Sequence, residues 1–409
     1  MKIKILLLFL IISITSATYG FAVGFLQIFP FSVIQEIKEK IEYASVSAQP
    51  IQQMQINSSE QSELNERLYG TNVQLPKSLE LGNSINLNNF SLSWGHHDVP
   101  GLEKVGAVDI TKANIWYLNQ EDKRLIKTLK LEGKISQQSG IKAIFNLQSR
   151  DFAYVTYIDG DCASARIYDL EKIKIVFQMP CLPNVQNADM NGAGGGVLQI
   201  SDNEVLLGTG TPSVDRVDSD INILAQDNKS FWGKILSISL IDDQIEVSIY
   251  SKGQRNTQGI FSIDNTIFSV DHGPRGGDEL NIVEKGMNHG WPIQSLGSEY
   301  DLNKINKDYS LIDNNSSPLL SFVPSIGISS VSSCPTNYAD YYSPQKCVAV
   351  SSMRGGSIFF IVHDGAKVLF YERINLKYRI RKFKTYDDSF IAITDFTGII
   401  IGKLSEITP

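Results

Sequence analysis

Cys347-Val-Ala-Val-Ser-Ser-Met353, Ser357-Ile-Phe-Phe-Ile-Val-His363, Lys367-Val-Leu-Phe-Tyr-Glu-Arg-Ile374, Arg379-Ile-Arg-Lys-Phe-Lys384, Phe390-Ile-Ala-Ile-Thr394 and Gly398-Ile-Ile-Ile-Gly-Lys-Leu404 follow one another, with Gly355-Gly356, Asp364-Gly365 and Asp387-Asp388 among the breaks. Short runs of β-branched and aromatic residues between turn formers predict strands in an antiparallel meander. The pattern extends upstream through Val197–Ile200, Val205–Gly208, Gly233–Leu240, Ile245–Tyr250, Gly259–Ile263 and Thr266–Val270. Asp242-Asp243 and Asp264-Asn265 stand where residues tolerating positive φ close tight hairpins. So many strands, with no amphipathic helix of any length, predict an all-β sandwich, barrel or propeller.

The start of the chain is different. Ile5 to Gln35 carries no charge and is preceded only by Lys2 and Lys4, enough for a membrane-spanning or signal helix over residues 1–35. Its apolar run exceeds the core of a cleavable leader, which favours an uncleaved signal anchor over a signal peptide. The two lysines then stay in the cytoplasm and the rest crosses the membrane, which in a bacterium predicts a periplasmic body tethered to the inner membrane, or an exported one if cleaved. Residues 36–74 are polar, rich in Gln, Ser, Asn and Glu, and read as a tether. The net charge of −7 without a basic face excludes a nucleic-acid partner. Four cysteines, paired by proximity as Cys162 with Cys181 and Cys334 with Cys347, suit two disulfides in an oxidising compartment. The other reading of each pair is two buried thiols.

The densest concentration of restricted residues is His272-Gly-Pro-Arg-Gly-Gly-Asp-Glu-Leu-Asn-Ile-Val-Glu-Lys-Gly-Met-Asn-His-Gly-Trp-Pro292, preceded by Ser251-Lys-Gly-Gln-Arg-Asn-Thr-Gln-Gly259. Together they resemble the soluble glucose/sorbosone and aldose sugar dehydrogenases, which hold pyrroloquinoline quinone (PQQ) and calcium. Gly140-Ile-Lys-Ala-Ile-Phe145 and Phe152-Ala-Tyr-Val-Thr-Tyr157 are similar to an early part of that family. The resemblance implies a six-bladed β-propeller over residues 75–405, a length that divides into six blades of about 55 residues. It also implies a sugar substrate oxidised by hydride transfer to PQQ.

The resemblance assigns roles residue by residue. Gly273 and Pro274 match positions whose backbone carbonyls bind calcium, and such oxygens are hard ligands suited to Ca²⁺. Arg255 and Asn256 match the Arg-Asn pair beside the quinone. Arg379 and Arg381 match an Arg-x-Arg that holds cofactor carboxylates, and strand alternation predicts them on one face. Arg354 falls where the family has lysine. Asp278, Glu279 and Asn281 suit either turn stabilisation or ligation. His289 reads as structural and His363, before an Asp-Gly turn, as surface. His96-His97-Asp98 reads as a loop rather than a metal site.

The family's proton-abstracting histidine and its acidic partner fall, in the ungapped hairpin Gly192-Ala-Gly-Gly-Gly-Val-Leu-Gln-Ile-Ser-Asp-Asn-Glu-Val-Leu-Leu-Gly-Thr-Gly-Thr211, on Gly192 and Thr211. Neither accepts a proton as the reaction needs. Three explanations stand: Asp189 or His272 replaces the base, the protein binds without turnover, or the register is shifted. The rival reading is a noncatalytic propeller that binds a saccharide or a protein. A propeller hydrolase would need a ring of acidic ligands that is not visible.

Overall fold

The computed structural model describes the strands between residues 79 and 128 as backbone, and then residues 139–404 apart from 214–218, 300–304, 306–311, 388 and 395–397, with side chains within 139–394. The expected anchor, the tether and His96-His97-Asp98 lie outside the described residues. Among the described residues no helix is long and apolar enough to cross a membrane. The chain divides into Met1–Leu68 and Tyr69–Pro409, and every described residue belongs to the second unit.

The strands run in chain order. β1 is Leu79–Leu81; β2 to β5 are Leu92–Gly95, Val105–Asp109, Asn114–Leu118 and Lys123–Thr128. β6 to β9 are Gly140–Leu147, Arg150–Asp159, Cys162–Asp169 and Lys174–Gln178; β10 to β13 are Gly194–Ser201, Glu204–Thr209, Lys234–Ile241 and Gln244–Lys252. β14 to β17 are Thr257–Ile263, Thr266–Asp271, Asp278–Val283 and Leu320–Phe322; β18 to β21 are Ile328–Ser333, Lys346–Ser352, Ser357–His363 and Val368–Asn375. β22 to β24 are Ile380–Tyr386, Ser389–Thr394 and Gly398–Leu404. They form six four-stranded antiparallel sheets, five of them consecutive meanders and the sixth ordered β1-β24-β23-β22. Leu79, Glu80 and Leu81 pair with Leu404, Lys403 and Gly402, so strands from opposite ends of this unit share one sheet.

Sequence pattern explains who sits where. First strands are largely covered on both sides, β6 being buried at every position but one, and they take small or polar residues where neighbouring strands approach, as in Ile328–Ser333. Fourth strands alternate, as in Gln244–Lys252, because only one face meets a neighbour. Each core is a layer between consecutive sheets. One packs Phe145, Phe152 and Tyr154 against Val205, Leu207, Trp232 and Leu236. Others pack Phe268 and Leu280 against Val348 and Phe359, and Phe360 against Phe383 and Phe390. The first strands also lie against one another, β6 beside β10, β10 beside β14, β14 beside β18 and β18 beside β22.

The expected hairpin turns are present. Asp242 and Asp243 take φ of 48° and 65°, and Asp264 and Asn265 take 48° and 62°, the conformation a two-residue turn matching strand twist demands. Cys162 bonds to Cys181 and Cys334 to Cys347, with Cα separations of 5.1 and 5.6 Å, inside the range a disulfide spans. The second bridge flanks a six-residue helix, α1, Thr336–Tyr341. His363 is not on the surface as expected. Its ring packs edge-on against Phe268 at 5.5 Å, its Nδ1 accepts from Gly365 N–H, and burial lowers its pKa.

Candidate functional site

In an antiparallel four-stranded meander, the start of the first strand, the turn between the second and third, and the end of the fourth fall at one end. Gly192 precedes β10, Thr211 lies between β11 and β12, and Arg255 and Asn256 join β13 to β14. Gly273 and Pro274 join β15 to β16, Arg354 joins β19 to β20, Arg379 precedes β22, and Arg381 is its second residue. The topology therefore carries every residue singled out for the cofactor, the metal and the base to the same end of its sheet.

Asp271, the last residue of β15, organises the Arg255-Asn256 corner. Its carboxylate accepts the backbone N–H of Arg255 at 2.7 Å and that of Asn256. Burial pushes its pKa up to about 6, against the opposing pull of those two N–H donors and of the Arg255 and His272 charges. Arg255 donates from Nη1 to the His272 carbonyl at 3.0 Å, and its guanidinium lies 5.4 Å from the Trp291 ring centre. Asn256 is buried, with Oδ1 accepting from Gly194 N–H and from Gln258 Nε2. Trp291 is itself fixed: Gly253 accepts its backbone N–H, and its indole Nε1 donates to Thr211 Oγ1 at 2.9 Å. Beside it, Asn288 and Gln226 exchange side-chain hydrogen bonds. His289 is buried with neither ring nitrogen hydrogen-bonded, and burial lowers its pKa to about 4, so it is a neutral packing residue.

The turn at Gly273 is closed on itself. A Cβ there would collide with the carbonyl oxygens of Gly276 and Gly277, so only glycine lets these backbone oxygens converge. Asp278 pins the turn: Oδ1 accepts Gly273 N–H at 3.1 Å, and Oδ2 accepts Ile326 and Ile328 N–H at 3.0 and 2.9 Å. Burial opposes its charge, but His272, with Nδ1 3.8 Å away, and the Ile328 N–H outweigh that and hold the carboxyl below its usual range. Asp278 thus stabilises the turn, and Glu279 Oε2 accepts from Asn281 Nδ2. Among the described residues no three His, Cys, Asp or Glu side chains gather as a metal site. What the turn offers a cation is carbonyl oxygen, a donor set that fits calcium.

Gly192 and Thr211 are neighbours in space, as a base and its orienting partner must be. A Cβ on Gly192 would lie 3.4 Å from the Thr211 carbonyl oxygen and 3.2 Å from Pro212 Cα. Thr211 is buried and its hydroxyl is engaged by Trp291. Gly210 packs onto the Gly192 carbonyl without room for a side chain. Asp189 caps this turn, with Oδ1 accepting Asn191 N–H and its carbonyl accepting Gly192 N–H. The glycines that follow serve packing: a Cβ on Gly195 would stand 2.8 Å from the Lys142 carbonyl oxygen, and one on Gly196 2.9 Å from Gly259 N.

The remaining arginines differ from one another. Arg354 and Arg379 are exposed and Arg381 is half-buried. The expected alternation of Arg379 and Arg381 along one strand face does not hold. β22 begins at Ile380, and its pairing with β23 skips Arg381, which sits in a β-bulge. Sequence reading also missed Lys142, which lies in a bulge of β6, is 8% exposed and is within electrostatic reach of both Asp189 and Arg381.

Comparison with known proteins agrees with this geometry. Residues 152–401 match the family model described as glucose/sorbosone dehydrogenase. The aldose sugar dehydrogenase YliI of Escherichia coli K12 is 27% identical over 202 residues, 45% of this chain and 53% of that protein. An uncharacterized protein of Synechocystis, slr1608, is 29% identical over 194 residues, 40% of this chain and 46% of its own length. The chain thus spans about half the length of these curated relatives. Among solved structures, the apo aldose sugar dehydrogenase of Escherichia coli superposes with a TM-score of 0.63 at 19% identity, over 81% of this chain and all of that one. The PQQ-bound aldose sugar dehydrogenase of Streptomyces coelicolor gives 0.57 at 19%, over 81% of this chain and 99% of that one. These superpositions fix the fold as all-β and propeller-like. With its sheets, its one-ended site and a family match over more than half its length, the chain belongs to the glucose/sorbosone dehydrogenase family.

Proposed function

We propose that this chain is a PQQ- and calcium-binding member of that family, a sugar dehydrogenase-like protein whose cofactor-binding half is built and whose proton-abstracting pair is lost. The observation that carries this is the contrast, at one end of the sheets, between the Asp271- and Asp278-stapled turns and the Gly192–Thr211 pair. The six sheets are read as propeller blades, the last closed by β1 on β24, a reading supported by the side-by-side first strands.

Bound PQQ would supply a two-electron quinone that takes hydride from a sugar carbon. The Gly273-Pro274 turn would offer carbonyl oxygens to the calcium. Arg255, Arg354, Arg379 and Arg381 would supply positive charge to cofactor carboxylates, and Asn256, held by Gly194 and Gln258, would lie beside the ring. Gly192 offers nothing to take the sugar hydroxyl proton, and the Thr211 hydroxyl is occupied by Trp291. The two disulfides support an oxidising compartment, and the uncharged N-terminal run supports a periplasmic body tethered to the inner membrane.

Titrating full-length protein with PQQ, with and without Ca²⁺, tests the cofactor half by the quinone absorbance. Binding that needs calcium and weakens in Arg379→Ala supports it. No binding with calcium present rejects it and leaves the noncatalytic saccharide- or protein-binding propeller.

A further inference from the structure

Five of the six first strands carry a β-bulge within their first three residues. The pairing skips Lys142 in β6, Gly195 and Gly196 in β10, Gln258 in β14, Ser329 in β18 and Arg381 in β22. A bulge breaks strand alternation and re-aims the side chain it releases. Lys142 and Arg381 belong to sheets separated by the β2–β5 sheet, yet Arg381 acts electrostatically on Lys142, and both stand in bulges at the same end of their first strands. Asp189, capping the turn ahead of β10, acts on the same Lys142 charge in the opposite sense.

We propose that Lys142 and Arg381 form a clamp for one carboxylate of the planar quinone, Lys142 being a ligand-binding residue that the family motifs do not contain. This rests on the PQQ-binding reading above. Two cations held close together raise each other's electrostatic cost, and an arriving carboxylate relieves both. Burial, the largest influence, and then Arg381 lower the pKa of Lys142 to about 8 against the pull of Asp189, so the ammonium form prevails at neutral pH.

The test titrates the full-length protein, in Ca²⁺ at pH 7, with PQQ and with its trimethyl ester, in wild type, Lys142→Met and Lys142→Arg. Loss of a charge-assisted contact in Lys142→Met should weaken PQQ by roughly tenfold or more, with Lys142→Arg retaining most of the affinity. The ester should bind wild type and Lys142→Met alike. Equal PQQ affinity in wild type and Lys142→Met overturns the clamp, and so does an equal loss for acid and ester, which would make Lys142 a packing residue. Lys142→Gln replaces the methionine variant if its melting curve shows misfolding. If wild type binds no PQQ at all, the reading beneath the clamp fails and the clamp with it.

Discussion

The corner from Arg255 to Asp278 and the pair Gly192–Thr211 sit at the same end of adjacent sheets, and they are held in opposite ways. In the first, buried carboxylates receive backbone N–H groups from loops that would otherwise be free: Asp271 takes two and Asp278 takes three. In the second, glycine meets backbone and the threonine hydroxyl is consumed by an indole. The contrast separates two requirements of a redox site. Holding an anionic cofactor and a cation depends on loop shape and fixed charge. Removing a proton depends on one basic side chain, and Gly192 and Thr211 supply none at the two positions that the resemblance assigns to that role.

The largest expected effect breaks the well-held side. Asp278→Ala leaves the N–H groups of Gly273, Ile326 and Ile328 without their acceptor, at about 1–3 kcal/mol each when buried. A loss of at least about 3 kcal/mol in denaturant unfolding, together with loss of calcium-dependent PQQ binding, is expected. A near-neutral Asp278→Ala would remove the distinction between the two regions.

Next is a pH effect at His289, in the segment that positions Trp291. Its folded pKa, lowered by burial to about 4, is below the unfolded value, so the unfolded chain binds more protons in between. Stability therefore falls as pH drops from about 6.5 toward 4, by up to about 3 kcal/mol from this group. His289→Phe should flatten that part of the stability profile, and an unchanged slope would show that the ring is not held neutral.

Trp291→Phe removes the hydrogen bond to Thr211 and should cost about 1 kcal/mol, with a further weakening of PQQ binding through Arg255. Smallest is Gly192→Ala. Its Cβ comes no nearer to other atoms than 3.2 Å from Pro212 Cα and 3.4 Å from the Thr211 carbonyl oxygen, so the change in melting temperature should correspond to less than about 1 kcal/mol. Gly210→Ala, driven into the Gly192 carbonyl, should be far worse.

The strands were legible because burial leaves a mark on composition: apolar runs in inner strands such as Ser357–His363, alternation in fourth strands, and positive-φ residues at Asp242-Asp243 and Asp264-Asn265. The end of the sheets that gathers the site follows from topology once the meander is read. What sequence withheld depends on contacts made at a distance or on a single skipped residue. Thr211 and Trp291 meet across 80 positions. The bulge at Arg381 cancels the alternation that would align it with Arg379, and the bulge at Lys142 takes a buried lysine out of the strand pairing, within electrostatic reach of Arg381. His363 follows a strand into an Asp-Gly turn, a surface pattern, yet Phe268 from the neighbouring sheet covers it.

The central claim, that binding and turnover are uncoupled, is tested most directly by aldose-dependent dye reduction at saturating PQQ and Ca²⁺, in wild type and in the double variant Gly192→His/Thr211→Asp. The Trp291 donor at Thr211 offers a partner for the restored acid, and the restored histidine needs Pro212 to give by a few tenths of an ångström. The account predicts little oxidation by wild type and a rise on the order of 10²- to 10⁴-fold in the variant, the usual contribution of a positioned base. Robust oxidation by wild type, unimproved in the variant, would contradict it.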